Sequence, residues 1–384
     1  MQVDESLVAR ARGAAAVIAP QLDQVETERR LPQPAVDALV GAGVFKLCVP
    51  RVYGGAQAHP ATVLAVIEEL AKLDGSVGWC AMIGATSGLM SVYLDEDVAR
   101  EIYAPADAIT CGVFAPMGHA TRTDAGYRVS GRWAFASGCE HSRWRMGGTI
   151  AEGDAPLPSG APGVRSVLFR ADDTTIHDTW DTVGLRGTGS HDFSVENVEV
   201  PRERTFSLLA DRPKHTGYEL PFFGVLAAGV AAVGLGIARA SLDSATTMAQ
   251  TKKPPGSKKP LAHRELVQLE IARAEARASA ARGLLGAALE AAMQAVAATA
   301  HDDPRAIAAR ARLRIAACHA ATESAAVAAA MYELGGGSAV YTRSPLARQF
   351  RDSQVVTHHL MVSSTALTMA GRALLGLEID TAVL

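Results

Sequence analysis

A chain of 384 residues with 48% hydrophobic and 20% charged side chains has room for about two or three domains and a large core. Its formal net charge of −3 provides no basic surface for nucleic acid or an anionic membrane. Cys48, Cys80, Cys111, Cys139 and Cys318 form no Cys-x-x-Cys pair, which argues against a structural zinc or a disulfide framework. The opening MQVDESLVARAR lacks the layout of a secretion signal, so a cytoplasmic protein is expected.

Residues 4 to about 105 read as helices. Pro34–Val40 opens on proline and stops at Gly41 and Gly43; Pro60–Leu73 carries Val63, Ile67 and Leu70 on one stripe. From about 109 to 205 the period becomes two. Tyr127, Val129, Trp133 and Phe135 alternate with polar residues after the turn Asp124-Ala125-Gly126. Ser137 shares the parity of Trp133 and Phe135, so on a straight strand its hydroxyl points to the apolar side. Further strands are predicted at Arg165–Phe169 and Ser194–Val200, and the whole reads as a compact β barrel or sandwich.

Beyond about 215 the chain is helical and alanine-rich, with predicted helices at 221–250, 261–299, 305–334 and 345–375. Val225–Ala238 is the longest apolar run, short and glycine-bearing, the pattern of a buried helix rather than a bilayer span. Small side chains let these helices build a tight bundle, and several lack a clear polar face, which predicts burial against other subunits as well. On a continuous last helix Val355, His359, Val362, Ala366 and Met369 share one face. His358 falls with Arg351, Gln354, Met361 and Thr365, so one imidazole is aimed inward and its neighbour at water. Gly234-Leu-Gly236 follows no strand and reads as helix packing, and Gly187–Asp192 as a tight turn.

The order helical, β, helical bundle, with Leu39–Gly55, Val113–Ala120, Ser130–Trp144, Val183–Pro201 and Leu334–Asp352 at these distances, resembles the acyl-CoA dehydrogenase superfamily. The resemblance implies an α+β fold in three parts. These are an N-terminal helical domain (1–108), a central β domain (109–205) and a C-terminal four-helix bundle (206–384). It also implies a flavin between the β domain and the bundle, and a homotetramer.

Two chemistries divide that superfamily. The dehydrogenases use a carboxylate base after the Arg-Asp pair, where this chain has Leu360 in Thr357-His358-His359-Leu360-Met361. Pro221–Arg239, the other place for a base, contains no acid, and the flavin-binding Arg-x-x-Phe-Gly pattern is missing from MAQTKKPPGSKKP. The two-component flavin-dependent monooxygenases look closer. Ser137-Gly138 resembles their strand-end serine near flavin N5, and His359 their active-site histidine. Asp74-Gly-Ser-Val-Gly-Trp79 resembles their Gly-Ser-x-x-Trp helix start, although Ser87 stands near the place of a second histidine.

That resemblance implies oxygenation of a small organic substrate by O2, through a C4a-hydroperoxide of reduced FMN or FAD delivered by a separate flavin reductase. The expected catalytic residues are Ser137 and His359, the imidazole titrating near neutrality. Flavin contacts are expected from Phe114, Ala115, Pro116, Trp133, Ser137, Gly138, Gly335 and Gly336. Trp79, Ser87 and His141 are expected at the substrate, and no metal site is expected. Two other readings stay open: an acyl-CoA dehydrogenase with tightly bound FAD, and a non-enzymatic binding or assembly module on the same fold.

Overall fold

The computed structural model describes residues 3–384 except 158, 159, 161, 216–218, 301, 382 and 383. Six helices come first: α1 (Glu5–Ile18), α2 (Leu22–Glu28), α3 (Gln33–Gly41), α4 (Pro60–Leu73), α5 (Gly75–Ser87) and α6 (Glu96–Tyr103). α5 begins where the Asp74 carboxylate accepts the Ser76 and Val77 amides, satisfying donors that a helix start leaves open. It is apolar all round and buried on nearly every side, and packs against α4 and the core of the C-terminal helices.

Among the described residues seven strands follow: β1 (Thr110–Arg122), β2 (Gly126–Trp133), β3 (Trp144–Glu152), β4 (Val164–Arg170), β5 (Thr175–His177), β6 (Asp192–Pro201) and β7 (Thr205–Phe206). They form one mixed sheet in the order β5-β6-β2-β1-β3-β4-β7, not a closed barrel or a pair of facing sheets. The expected strands near 165–169 and 194–200 are β4 and β6. Among the described residues only β1 and β3 run parallel, and their register shifts between Val113 and Gly118. That bulge leaves Phe114 and Ala115 without a ladder partner on β3.

The C-terminal part contains α7 (Phe222–Thr251), α8 (Glu265–Ala298), α9 (Pro304–Gly335), α10 (Pro345–Thr357) and α11 (Ser364–Leu374). α7 to α10 pack on one another, with α11 against α9. Among the described residues α7 alone is long and apolar enough to cross a membrane, and 83% of its most apolar stretch is buried inside the protein. Its Gly236 lies where a Cβ would come 2.5 Å from the Glu68 carbonyl, so the glycine permits α4 and α7 to touch. Most of the missing polar face of α7 is thus explained within one chain.

The predicted helix at 345–375 is two helices. α10 stops at Thr357, and the chain passes through a short 3-10 turn, Leu360–Val362, before α11. The residues keep helical spacing, but His359 adopts φ −71°, ψ 134° and caps the turn, its Nδ1 accepting the Met361 amide at 3.3 Å.

Candidate active site

β2 ends at Trp133, which is fully buried, donates its indole N–H to the Gly148 carbonyl at 2.7 Å and stacks on Phe193. It has no surface left for a cofactor, so Trp133 is a core residue and not the expected flavin contact. Beyond it the chain leaves the strand, and the parity expected to aim Ser137 does not apply. Phe135 takes φ +65° and is 70% exposed. A left-handed aromatic residue stores strain of order 1 kcal/mol or more and points to a functional constraint. The Ala136 amide donates to the His191 carbonyl (3.0 Å) and the Gly138 amide to the Thr188 carbonyl (2.9 Å), which hold the loop in place.

Ser137 is nonetheless buried, and its hydroxyl has a fixed polarity. Trp79 Nε1, on α5, donates to Ser137 Oγ at 2.9 Å. Ser137 Oγ lies 2.7 Å from Ser190 Oγ, and Ser190 Oγ 2.7 Å from Thr188 Oγ1, which donates to the Leu185 carbonyl at 2.8 Å. An indole N–H only donates and a carbonyl only accepts. Thr188 therefore gives its proton to Leu185, Ser190 to Thr188, and Ser137 to Ser190. Ser137 is left with one unused lone pair and no spare proton.

Trp79 also meets the His359 imidazole edge-on, ring centroids 5.4 Å apart. The inward and outward directions expected of the two histidines hold, but by a helix break and not by a shared helix face. His358 is exposed, its Nδ1–H on the Gln354 carbonyl at 2.9 Å. Burial, and then the positive charge of Arg314, push His359 down to about 4. It is a neutral imidazole at physiological pH, not one poised near neutrality. With Nδ1 accepting the Met361 amide, the proton sits on Nε2, and the side chain presents a donor.

His141 lies over the same loop: a Cβ on Gly138 would come 2.8 Å from its Nε2. Burial, and then Arg145, lower it also to about 4. Ser87 on α5 gives its hydroxyl proton to the Ile83 carbonyl at 2.7 Å and can offer only an acceptor. Phe114, Ala115 and Pro116 sit on the β1 bulge, the last two exposed. Gly335 and Gly336 close α9, where the Gly335 carbonyl accepts from Lys252 Nζ at 2.9 Å and a Cβ on Gly335 would meet Ala339 and Leu346. Those neighbours belong to an apolar cluster separate from that of Trp79.

The Arg351-Asp352 pair is structural. Asp352 accepts the Leu185 amide at 2.7 Å, and Arg348 binds Asp74 at 2.6 Å and Glu26 at 3.4 Å. Arg351 reaches Glu26 at 3.0 Å. Burial raises both Asp352 and Asp74 above the usual carboxylate range, with the Asp74 charge adding to the first and the Glu26 charge to the second. Sequence reasoning missed Phe135, Thr188 and Ser190; the turn motif Gly187-Thr-Gly-Ser190 was the available signal.

These residues fit an isoalloxazine ring. Phe135 offers an exposed apolar face, the β1 bulge frees backbone beside the sheet, and Ser137 offers one acceptor at a buried edge. The chain matches the family models "Acyl-CoA dehydrogenase, N-terminal domain" over residues 4–98 and "Acyl-CoA dehydrogenase, C-terminal domain" over 228–364. It is 33% identical over 362 residues to indole-3-acetate monooxygenase of Pseudomonas putida, covering 93% of this chain and 90% of that protein. It is 32% identical to the oxygenase component of FADH(2)-dependent resorcinol hydroxylase of Rhizobium sp., over 62% of this chain and 60% of that one. XiaF from Streptomyces sp., solved with FADH2 and glycerol, superposes with a TM-score of 0.87 at 27% identity, over 97% of this chain and 95% of its own. The chain belongs to the acyl-CoA dehydrogenase superfamily, within its branch of two-component flavin-dependent monooxygenases.

Proposed function

We propose that this protein oxygenates a small aromatic substrate at a site built from Ser137, Trp79 and His359, using O2 and reduced FMN or FAD received from a separate reductase. The observation that carries this reading is the single indole of Trp79, which contacts Ser137 on one side and His359 on the other. When bound, reduced flavin supplies the two electrons for O2 activation. Ser137, with its proton committed to Ser190, would accept a hydrogen bond from the bound reduced flavin. His359 donates from Nε2 and orients oxygen or substrate without changing charge.

The names of the relatives support the substrate class: one acts on indole-3-acetate and one on resorcinol. Leu360, at the position aligned with a dehydrogenase base, is a hydrocarbon 69% exposed to solvent, and a hydrocarbon cannot abstract a proton. A homotetramer formed through the C-terminal helices is supported by exposed Leu266, Leu269 and Leu284 on α8 and Leu367 and Leu374 on α11. A cytoplasmic location is supported by five buried cysteines in no disulfide among the described residues.

Anaerobic titration with photoreduced FMN and FAD, followed by mixing with O2 and indole-3-acetate, tests the reading. Tighter binding of reduced than oxidised flavin and an oxygenated product are expected. Oxidised FAD retained through desalting, with reduction by an acyl-CoA, would overturn it.

A further inference from the structure

We infer that Arg314 is the anion anchor of the substrate site and holds a carboxylate carried by the aromatic substrate. This rests on the oxygenase reading above and narrows it to acids.

Arg314 lies in α9 and is 4% exposed. Its Nη1 donates to the Phe223 carbonyl at 3.0 Å and contacts Met361 Sδ at 3.2 Å, while Nε has no partner. Among the described residues no carboxylate is paired with it. Two other arginines, the half-buried Arg348 and the buried Arg145, show how a guanidinium charge is met elsewhere in the fold. Arg348 is surrounded by Asp74, Glu26 and Asp352. Arg145 reaches the carbonyls of Cys139 and Ala171 and the Thr174 hydroxyl. Arg314 has one carbonyl and one thioether. A buried cation without a counter-charge is costly, and a partner removed from such a pair is missed more than the pair itself contributes. A ligand carboxylate would restore the missing charge, and the planar guanidinium matches it in a bidentate fork.

Its position ties it to the site. Met361, whose sulfur touches Arg314, gives its amide to His359 Nδ1, and His359 stands against Trp79. A run of contacts thus links the cation through Met361, His359 and Trp79 to Ser137, the residue assigned to the flavin edge. Its field reaches the imidazole, which it helps to keep neutral. A rigid setting between the start of α7 and the interior of α9 makes it a fixed anchor.

The test is equilibrium binding of indole-3-acetate and of the neutral indole-3-acetamide, by anaerobic calorimetry on the full chain with and without reduced flavin. The wild type is expected to favour the acid by about tenfold or more, as a charge-assisted bond allows. Arg314→Gln should erase that preference, Arg314→Lys should keep part of it, and reduced-flavin affinity should stay the same in both. Thermal melting adds a readout: the acid should stabilise the wild type and not Arg314→Gln. The inference falls if the wild type binds no carboxylate or shows no preference for it. It also falls if Arg314→Gln keeps the preference, or weakens reduced flavin instead. An acid preference that depends on Arg314, found in a protein that forms no oxygenated product, would sink the oxygenase reading and leave the anchor standing.

Discussion

The hydroxyl of Ser137 gives its proton to Ser190, 53 residues further along the chain, across 2.7 Å. The consequence is a side chain that can accept a hydrogen bond at the cofactor edge but not donate one. Reduced flavin carries a proton on N5 and oxidised flavin does not, so Ser190→Ala should let the Ser137 proton turn toward the site. The preference for reduced over oxidised flavin is then expected to fall by about tenfold, ~1.4 kcal/mol, in paired anaerobic and aerobic titrations. Ser137→Ala should raise the H2O2 released per flavin consumed, and an unchanged oxidised-to-reduced ratio in Ser190→Ala would refute the polarity.

His359 is predicted to act without titrating. Its value of about 4 places no protonation step within roughly pH 6 to 8, so product formation should show no inflection there from this residue. His359→Ala should lower substrate oxygenation by about tenfold or more, whereas exposed His358→Ala should be tolerated. Steady-state profiles of the three proteins decide it; equal damage from the two substitutions would count against the assigned directions.

The same burial has a signature in stability. An ordinary histidine titrates near 6.5, and both His359 and His141 are lowered to about 4. Between those values the unfolded chain binds more protons than the folded one, so stability is full above pH 6.5 and falls as the pH drops toward 4. Urea denaturation at stepwise pH should show that slope, and His141→Phe or His359→Phe should each flatten it.

Phe135 should trade stability for cofactor affinity. Glycine adopts φ +65° freely, so Phe135→Gly removes the strain and is expected to raise stability by about 1 kcal/mol. It also removes the exposed ring, and reduced-flavin binding should weaken. Calorimetric melting and flavin titration on one sample check both signs.

Arg348→Met should be the most destabilising single change in the polar interior. It would strand Asp74 and Asp352 without their cation, a loss of about 3–5 kcal/mol. Asp352→Asn keeps an acceptor for the Leu185 amide and should cost less. Denaturation midpoints would rank the two, and the reverse order would mean that the ion pair is not what holds this junction.

The three-part order was legible because the period of the hydrophobic pattern changes from helical to alternating and back. Cofactor placement at Ser137 rested on resemblance, since the strand parity invoked for it ends at Trp133. The break after Thr357 was not legible: residues 355–369 keep helical spacing and contain neither glycine nor proline. A histidine side chain capping its own next turn stops the helix there instead. Arg314 was hidden among Arg310, Arg312 and Arg314. Only Arg312 is exposed, and spacing by four on an otherwise apolar face is the trace the other two leave.

That break also separates two design problems. In an unbroken helix, one residue inserted upstream would swing the imidazole by about 100° around the axis. In a non-helical linker, the orientation of His359 is set by its own bond to the Met361 amide, two residues away. The helices can therefore lengthen, shift or repack while the donor keeps its aim, and one bundle can be refitted to new substrates by changing the linker alone.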